Sequence, residues 1–159
     1  MTFYEKQTDP TSPMHWWGNM QADYFYPNGV AGDRFFKHLM KNDSFLACKC
    51  TKCNKVFFPP RFYCEDCFVD IPDEEWFEVP KTGKVKLHTT VTIDTYGEKL
   101  ENSKVVGLIE IDNTNGSILG IIDTKNLDSD ICGVKVEAVL KPKDKREGTL
   151  KDILYFKEK

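Results

Sequence analysis

The chain has 159 residues, a formal net charge of -3, and 40% hydrophobic and 30% charged residues, an ordinary make-up for one medium globular domain or two small ones sharing a core. There is no global positive field to draw it to nucleic acid or an anionic membrane, and no apolar run is long enough to span a bilayer. The opening stretch, MTFYEKQTDPTSPMHWWGNM, lacks a charged segment followed by an apolar core, so no signal peptide and a cytoplasmic location are expected, where clustered cysteines bind metal or do redox chemistry more often than they form disulfides.

Composition divides the chain into an N-terminal aromatic arm and helix (1–45), a cysteine zone (46–72) and a strand-rich zone (73–159). The arm carries Trp16, Trp17, Tyr24, Phe25 and Tyr26. Such side chains dominate interfaces, and an arm without its own core buries them either on this chain's own ribbon and barrel or on another subunit. The stretch GDRFFKHLMKND predicts a short helix. Phe35, Phe36, Leu39 and Met40 recur at helical spacing, and Asp33 stands at its start, where a carboxylate suits the helix dipole.

Residues 48 to 67, CKCTKCNKVFFPPRFYCEDC, hold five of the six cysteines. Cys50-x2-Cys53 and Cys64-x2-Cys67 read as two knuckles joined by a loop that Pro59 and Pro60 stiffen. Four thiolates suit a tetrahedral zinc ion, and four protein ligands close the site, making it structural rather than catalytic. Iron is the chemical alternative for the same sulfurs. A thioredoxin-like redox pair fits less well, because neither CxxC lies between a strand and a helix. Asn54 follows the first pair and tolerates a left-handed backbone. Phe68 follows the second and lacks that tolerance, so the second knuckle is expected to be less regular. Cys48 has the wrong spacing to join the set. In extended backbone it lies on the same side as Cys50, either near the metal without binding it or as a small buried hydrophobe. Cys132, before Gly133, reads as core.

The bridge VDIPDEEWFEVPKTG follows, its carboxylates a solvated face. Then KVKLHTTVTI, KVVGLIEID, SILGIIDT, GVKVEAVLK and DILYFKE predict five strands separated by turn residues. The fold class is therefore mainly β, with a five-stranded Greek-key barrel of the OB type after the ribbon. Gly107 and Gly120 are expected at bulges or tight bends. KPKDKREG reads first as a solvated loop, with contact to the phosphates of a nucleotide or coenzyme A as the alternative. His15, His38 and His88 are scattered and read as structural or surface residues, and no nucleophile, phosphate-loop or dinucleotide motif is present.

The helix ending in FFKHL, the LACKCTKCNKVFFPPRFYCEDC segment, GKVKLHTTV and the paired VVGLIEID and GSILGIIDT resemble the DUF35 family over residues 30 to 159. Departures are Asn54 where glycine is common, the extra Cys48 and the long arm. The resemblance implies an OB-fold protein with a rubredoxin-like zinc ribbon. It also implies a non-catalytic partner of a thiolase-fold acyl-CoA enzyme, docking on that enzyme and shaping or shielding its acyl-CoA channel. On that reading Trp16, Trp17, Tyr24, Phe25 and Tyr26 are candidate anchors, and Phe58, Pro59, Pro60 and Arg61 face the partner or coenzyme A. The alternative is a single-stranded nucleic-acid-binding module, since ribbons and OB folds both occur there. The acidic balance and the few strand aromatics (Tyr96, Tyr155, Phe156) speak against it.

Overall fold

The computed structural model describes residues 26–94, 96–124 and 130–159. Helix α1 spans Gly29–Lys41, three residues earlier than the sequence pattern suggests, with Asn28 before it and Gly29 at φ +68°. It buries Phe35 and Leu39, one turn apart on a single face. Asp33 lies beyond the first turn and pairs with Lys37 at 2.7 Å instead of capping the helix. The backbone turns in at Gly29, so the first-turn position expected for Asp33 is occupied by apolar residues.

Three short strands form the ribbon sheet: β1 Phe45–Lys49, β2 Val56–Phe57 and β3 Trp76–Val79, in the order β2-β1-β3 and all antiparallel. In β1, Phe45, Leu46, Ala47 and Cys48 are all buried: the first three belong to the core shared with α1 and the barrel, and Cys48 to the small cluster of the knuckles. β3 comes from the acidic bridge, which the sequence reading treats as a connector.

All five predicted barrel strands are present: β4 Thr82–Ile93, β5 Lys99–Ile111, β6 Ser117–Asp123, β7 Lys135–Leu140 and β8 Ile153–Glu158. They close in the order β4-β5-β6-β8-β7, with β6 and β8 parallel and the other pairs antiparallel. This is the OB arrangement, and closure leaves no unpaired edge. Phe156 fills the interior and is fully buried.

The bulges are not at the two strand glycines. They lie in β4, at Val85/Leu87 and Val91/Ile93, and in the β7–β8 pairing at Val139/Leu140. Gly107 and Gly120 face one another across β5 and β6. A Cβ on Gly120 would stand 2.5 Å from the Phe156 ring, and one on Gly107 2.4 Å from Ile122 Cδ1. These glycines make room for large core side chains rather than for a bend.

Ribbon and barrel are joined through the β5–β6 turn. Asn115 exchanges backbone and side-chain bonds with Val56: its N–H donates to the Val56 carbonyl at 2.8 Å, and its Oδ1 accepts the Val56 N–H at 2.9 Å. Beside it, Gly116 lies so close to the Phe58 carbonyl that a Cβ would overlap it. One apolar core runs from Phe35 and Leu39 through Phe45, Phe58 and Val79 into the barrel.

Candidate metal centre

The two CxxC segments fold into near-identical turns. Cys50 N–H donates to the Lys55 carbonyl at 2.9 Å and Asn54 N–H to the Cys50 carbonyl at 3.0 Å. The second knuckle repeats this: Cys64 N–H to Val69 at 3.0 Å, and Phe68 N–H to Cys64 at 2.9 Å. Asn54 has φ +60° and Phe68 φ +52°. The second knuckle is therefore as regular as the first, contrary to the sequence expectation. A left-handed non-glycine residue costs only about 1–2 kcal/mol, and the Phe68 ring, 88% exposed, meets no packing conflict.

This pairing brings Cys50, Cys53, Cys64 and Cys67 together, their sulfurs all within 4.8 Å of one another. Cys53 and Cys64 Sγ are 3.6 Å apart, close to the edge of roughly 3.8 Å that two thiolates about 2.3 Å from a tetrahedral zinc ion would span. The backbone N–H of Cys53 and that of Lys52, which lies 3.4 Å from Cys50 Sγ, hold the Cys50 thiol down to about 7. Partial desolvation and the neighbouring sulfurs push Cys67 up to about 12. Four thiols this close cannot all ionise alone, since like charges oppose one another. A divalent cation removes that conflict, so the donor set fits one. Lys55 bridges the knuckles from outside, at 3.4 Å from Glu65 and 2.9 Å from Asp66.

Cys48 stands outside this group. It is fully buried, its Sγ donating to the Arg61 carbonyl and accepting the Arg61 N–H, both at 3.2 Å. Burial raises its thiol above the ordinary value. Cys48 thus pins the inter-knuckle loop to β1. In that loop Phe58 is 3% exposed and stacks with Phe45 and Phe35, ring centroids 5.3 and 5.8 Å away. Pro60 is buried, Pro59 is exposed, and Arg61 is partly exposed. The Arg61 guanidinium lies 4.6 Å from the Phe57 ring centroid and 2.7 Å from Glu65. Of the arm's candidate anchors only Tyr26 is described, 80% exposed. Trp16, Trp17, Tyr24 and Phe25, like His15, lie outside the described residues.

Other residues read differently in three dimensions. His38 hydrogen-bonds Ser44 at 3.1 Å and Asn42 at 2.9 Å, and burial lowers its pKa. In PDEEW, Asp73 takes a bidentate contact from Arg34 at 2.6 and 3.1 Å, with that guanidinium 4.6 Å from the Trp76 ring centroid. The basic stretch is not simply a solvated loop. Arg146 is 9% exposed and donates to Lys141, Leu39 and Asn42 carbonyls at 2.7, 3.0 and 2.7 Å and to Asp43 at 2.5 Å. It closes the C-terminal end of α1, whose last carbonyls have no partner within the helix. The fully buried Asp152 carboxylate accepts the N–H groups of Glu147, Gly148 and Thr149, so this chain's own anion fills the loop's nest. Nothing in a run of lysines marks one arginine as buried. Cys132 is exposed rather than core, beside His88 and Asp130.

Among the described residues, no helix is long and apolar enough to cross a membrane. Residues 41–73 match the family model of the ChsH2 rubredoxin-like zinc ribbon domain. The fold is similar to a crystal structure of a DUF35-family protein of unknown function from Sulfolobus solfataricus, with 28% identity and a TM-score of 0.63, covering 82% of this chain and 87% of that one. It is also similar to a chain of the Ltp2-ChsH2(DUF35) aldolase, with 18% identity and a TM-score of 0.56, covering 87% of this chain and 98% of that one. No curated protein matched.

Proposed function

We propose that this chain, a DUF35-type protein with a ChsH2-like zinc ribbon, is a non-catalytic subunit of an acyl-CoA thiolase or acyltransferase complex. The observation that carries the reading is the matched ribbon with its four converging sulfurs, set on the same architecture as a chain of the Ltp2-ChsH2 aldolase. Zinc is the proposed ion. When bound, it ties the two knuckles together, and Cys50, Cys53, Cys64 and Cys67 leave it no open position for substrate. The chain's part is then to dock, orient and exclude water, while the catalytic groups belong to a thiolase-fold partner.

The outer barrel face supports docking. Leu87, Leu108 and Leu119 lie side by side across β4, β5 and β6, and Val106 and Ile121 form the next row. Leu87 is 61% exposed and Leu119 70%. Contiguous apolar surface of this kind marks interaction sites. Trp16, Trp17, Tyr24, Phe25 and Tyr26 are the proposed arm anchors, and Pro59 and Arg61 the surface of the inter-knuckle loop toward the partner or acyl-CoA. Phe58 and Pro60 would act by holding that loop in shape. The specific member proposed is the small subunit of a benzoylsuccinyl-CoA thiolase, so that thioester heads the substrate panel.

Affinity purification of the tagged chain from native extract tests the reading. A thiolase-fold protein is expected in fixed ratio, and thioester turnover only in the complex. Turnover by the isolated chain, or no acyl-CoA enzyme recovered, would sink it. Arg61→Ala should weaken acyl-CoA binding by the complex, and unchanged affinity would remove Arg61 from the channel.

A further inference from the structure

We infer that His88, Asp130 and Cys132 form a second metal site, on the rim of the barrel, for a divalent ion of the zinc class. It is separate from the ribbon and does not depend on the subunit reading. Its donors are one imidazole, one carboxylate and one thiol, with ligand atoms all within 4.8 Å of one another.

The fold assembles these residues from two segments. Before the β4 bulge at Val85/Leu87, Gly83 and Val85 are buried, with Lys84 exposed between them. The bulge shifts that alternation by one residue. His88 then pairs with Gly107, an inward-facing position, and its side chain is only 19% exposed. The segment entering β7 folds back on the same strand: Gly133 N–H donates to the Val85 carbonyl at 2.7 Å, and Val85 N–H to the Val134 carbonyl at 3.0 Å. These two bonds clamp Asp130 and Cys132 against the strand three residues before His88. The Cys132 N–H fixes Asp130 Oδ1 at 2.9 Å.

The local geometry suits a cation. The Ile131 N–H points at His88 Nε2 at 3.3 Å, and the tautomer with its proton on Nδ1 accepts it. Asp130 Oδ1 lies 3.3 Å from the same atom. In that tautomer a carboxylate oxygen and an imidazole lone pair converge on a space that a cation fills, and in the other tautomer Nε2–H donates to Asp130 instead. Two ligands about 2.0–2.2 Å from a tetrahedral ion would lie roughly 3.3–3.5 Å apart, which is the separation found. The Ile131 contact, long for a hydrogen bond, is the one an ion would displace. A mixed nitrogen, oxygen and sulfur set suits zinc or cobalt over magnesium or calcium. Three protein ligands leave a fourth position for water, unlike the closed ribbon site.

The test is metal stoichiometry on the full chain. Protein loaded with excess zinc, then with cobalt, and freed of unbound ion is analysed for metal per chain. Two ions per chain are expected in the wild type. One is expected in Cys132→Ser combined with His88→Ala, with the ribbon's intense thiolate-to-cobalt absorption intact. Asp130→Asn, fully on the surface, serves where the double variant fails to fold, and should lower second-ion occupancy at least tenfold at limiting zinc. One ion per chain in the wild type under excess zinc, or a second ion that survives in these variants, would overturn the proposal.

Discussion

The ribbon and the barrel of this chain solve the same problem by opposite means. The barrel closes a complete ladder of backbone hydrogen bonds around Val85, Ile109, Val136 and Phe156, so apolar burial holds it together. The knuckles enclose a small cluster, Cys48, Cys50, Phe57, Cys64 and Ile71, in which three of the five buried residues are cysteines. So little apolar surface cannot offset the chain entropy lost, and the shortfall falls to four sulfurs gathered to hold a cation. A region with so small a core of its own is expected to draw its stability from an ion, whereas the barrel's apolar core holds without one.

Removing the ion is expected to break the comparison most sharply. Small zinc domains draw about 10–16 kcal/mol of apparent binding free energy from their metal at neutral pH. A strong chelator should therefore release the amides of Cys50 through Ile71 to fast hydrogen exchange while β4, β5 and β6 stay protected. Equal loss of protection in both regions would show that the shared core around Phe58 makes them one cooperative unit.

Phe156→Ala makes the reverse test. Emptying the barrel's largest buried position should cost about 3–5 kcal/mol, visible as a lowered denaturation midpoint with metal content unchanged. Gly120→Ala would crowd the same ring, and joining it to Phe156→Leu should recover part of the loss. A third variant acts on the helix that both regions share. Arg146→Met keeps the stem but removes the donors to Leu39, Asn42 and Asp43, at about 1.5–3 kcal/mol for hydrogen bonds of a charged group. Exchange should quicken in the last turn of α1 before either sheet is affected.

The smallest effect is in acid. Burial works to raise the Asp152 carboxyl, but the N–H groups of Glu147, Thr149 and Gly148, with Lys141 nearby, outweigh it and hold its pKa below the ordinary 3.8. The carboxylate's stabilisation is therefore full above about pH 4 and lost as pH falls through the lowered native value. Asp43 beside Arg146 and Asp73 beside Arg34 are lowered in the same direction. Acid titration of Asp152→Asn should give a flatter stability profile below pH 4 than the wild type. An identical slope would place the acid sensitivity elsewhere.

Much of this was legible in the chain alone. The five barrel strands followed from Val and Ile runs between turn residues, because a strand's pattern is local. The meeting of Cys50, Cys53, Cys64 and Cys67 was readable from two CxxC pairs, since a knuckle is a single tight turn whose spacing carries its geometry. Tertiary structure decided what local pattern does not encode. Trp76–Val79 became a ribbon strand only because β1 offered it an edge. Gly107 and Gly120 owe their places to the rings packed on them, not to a bend. Phe68 takes a left-handed turn because nothing outside crowds its ring. Arg146 is buried because a helix end over a hundred residues earlier needs its donors. His88 meets Cys132 because a bulge turns one side chain inward while a distant loop folds back. Residues 1–25, where the aromatic arm lies, fall outside the described fold. Spacing along the chain determines a turn or a strand, but which side chains meet depends on closure of the barrel and on the surfaces it brings together.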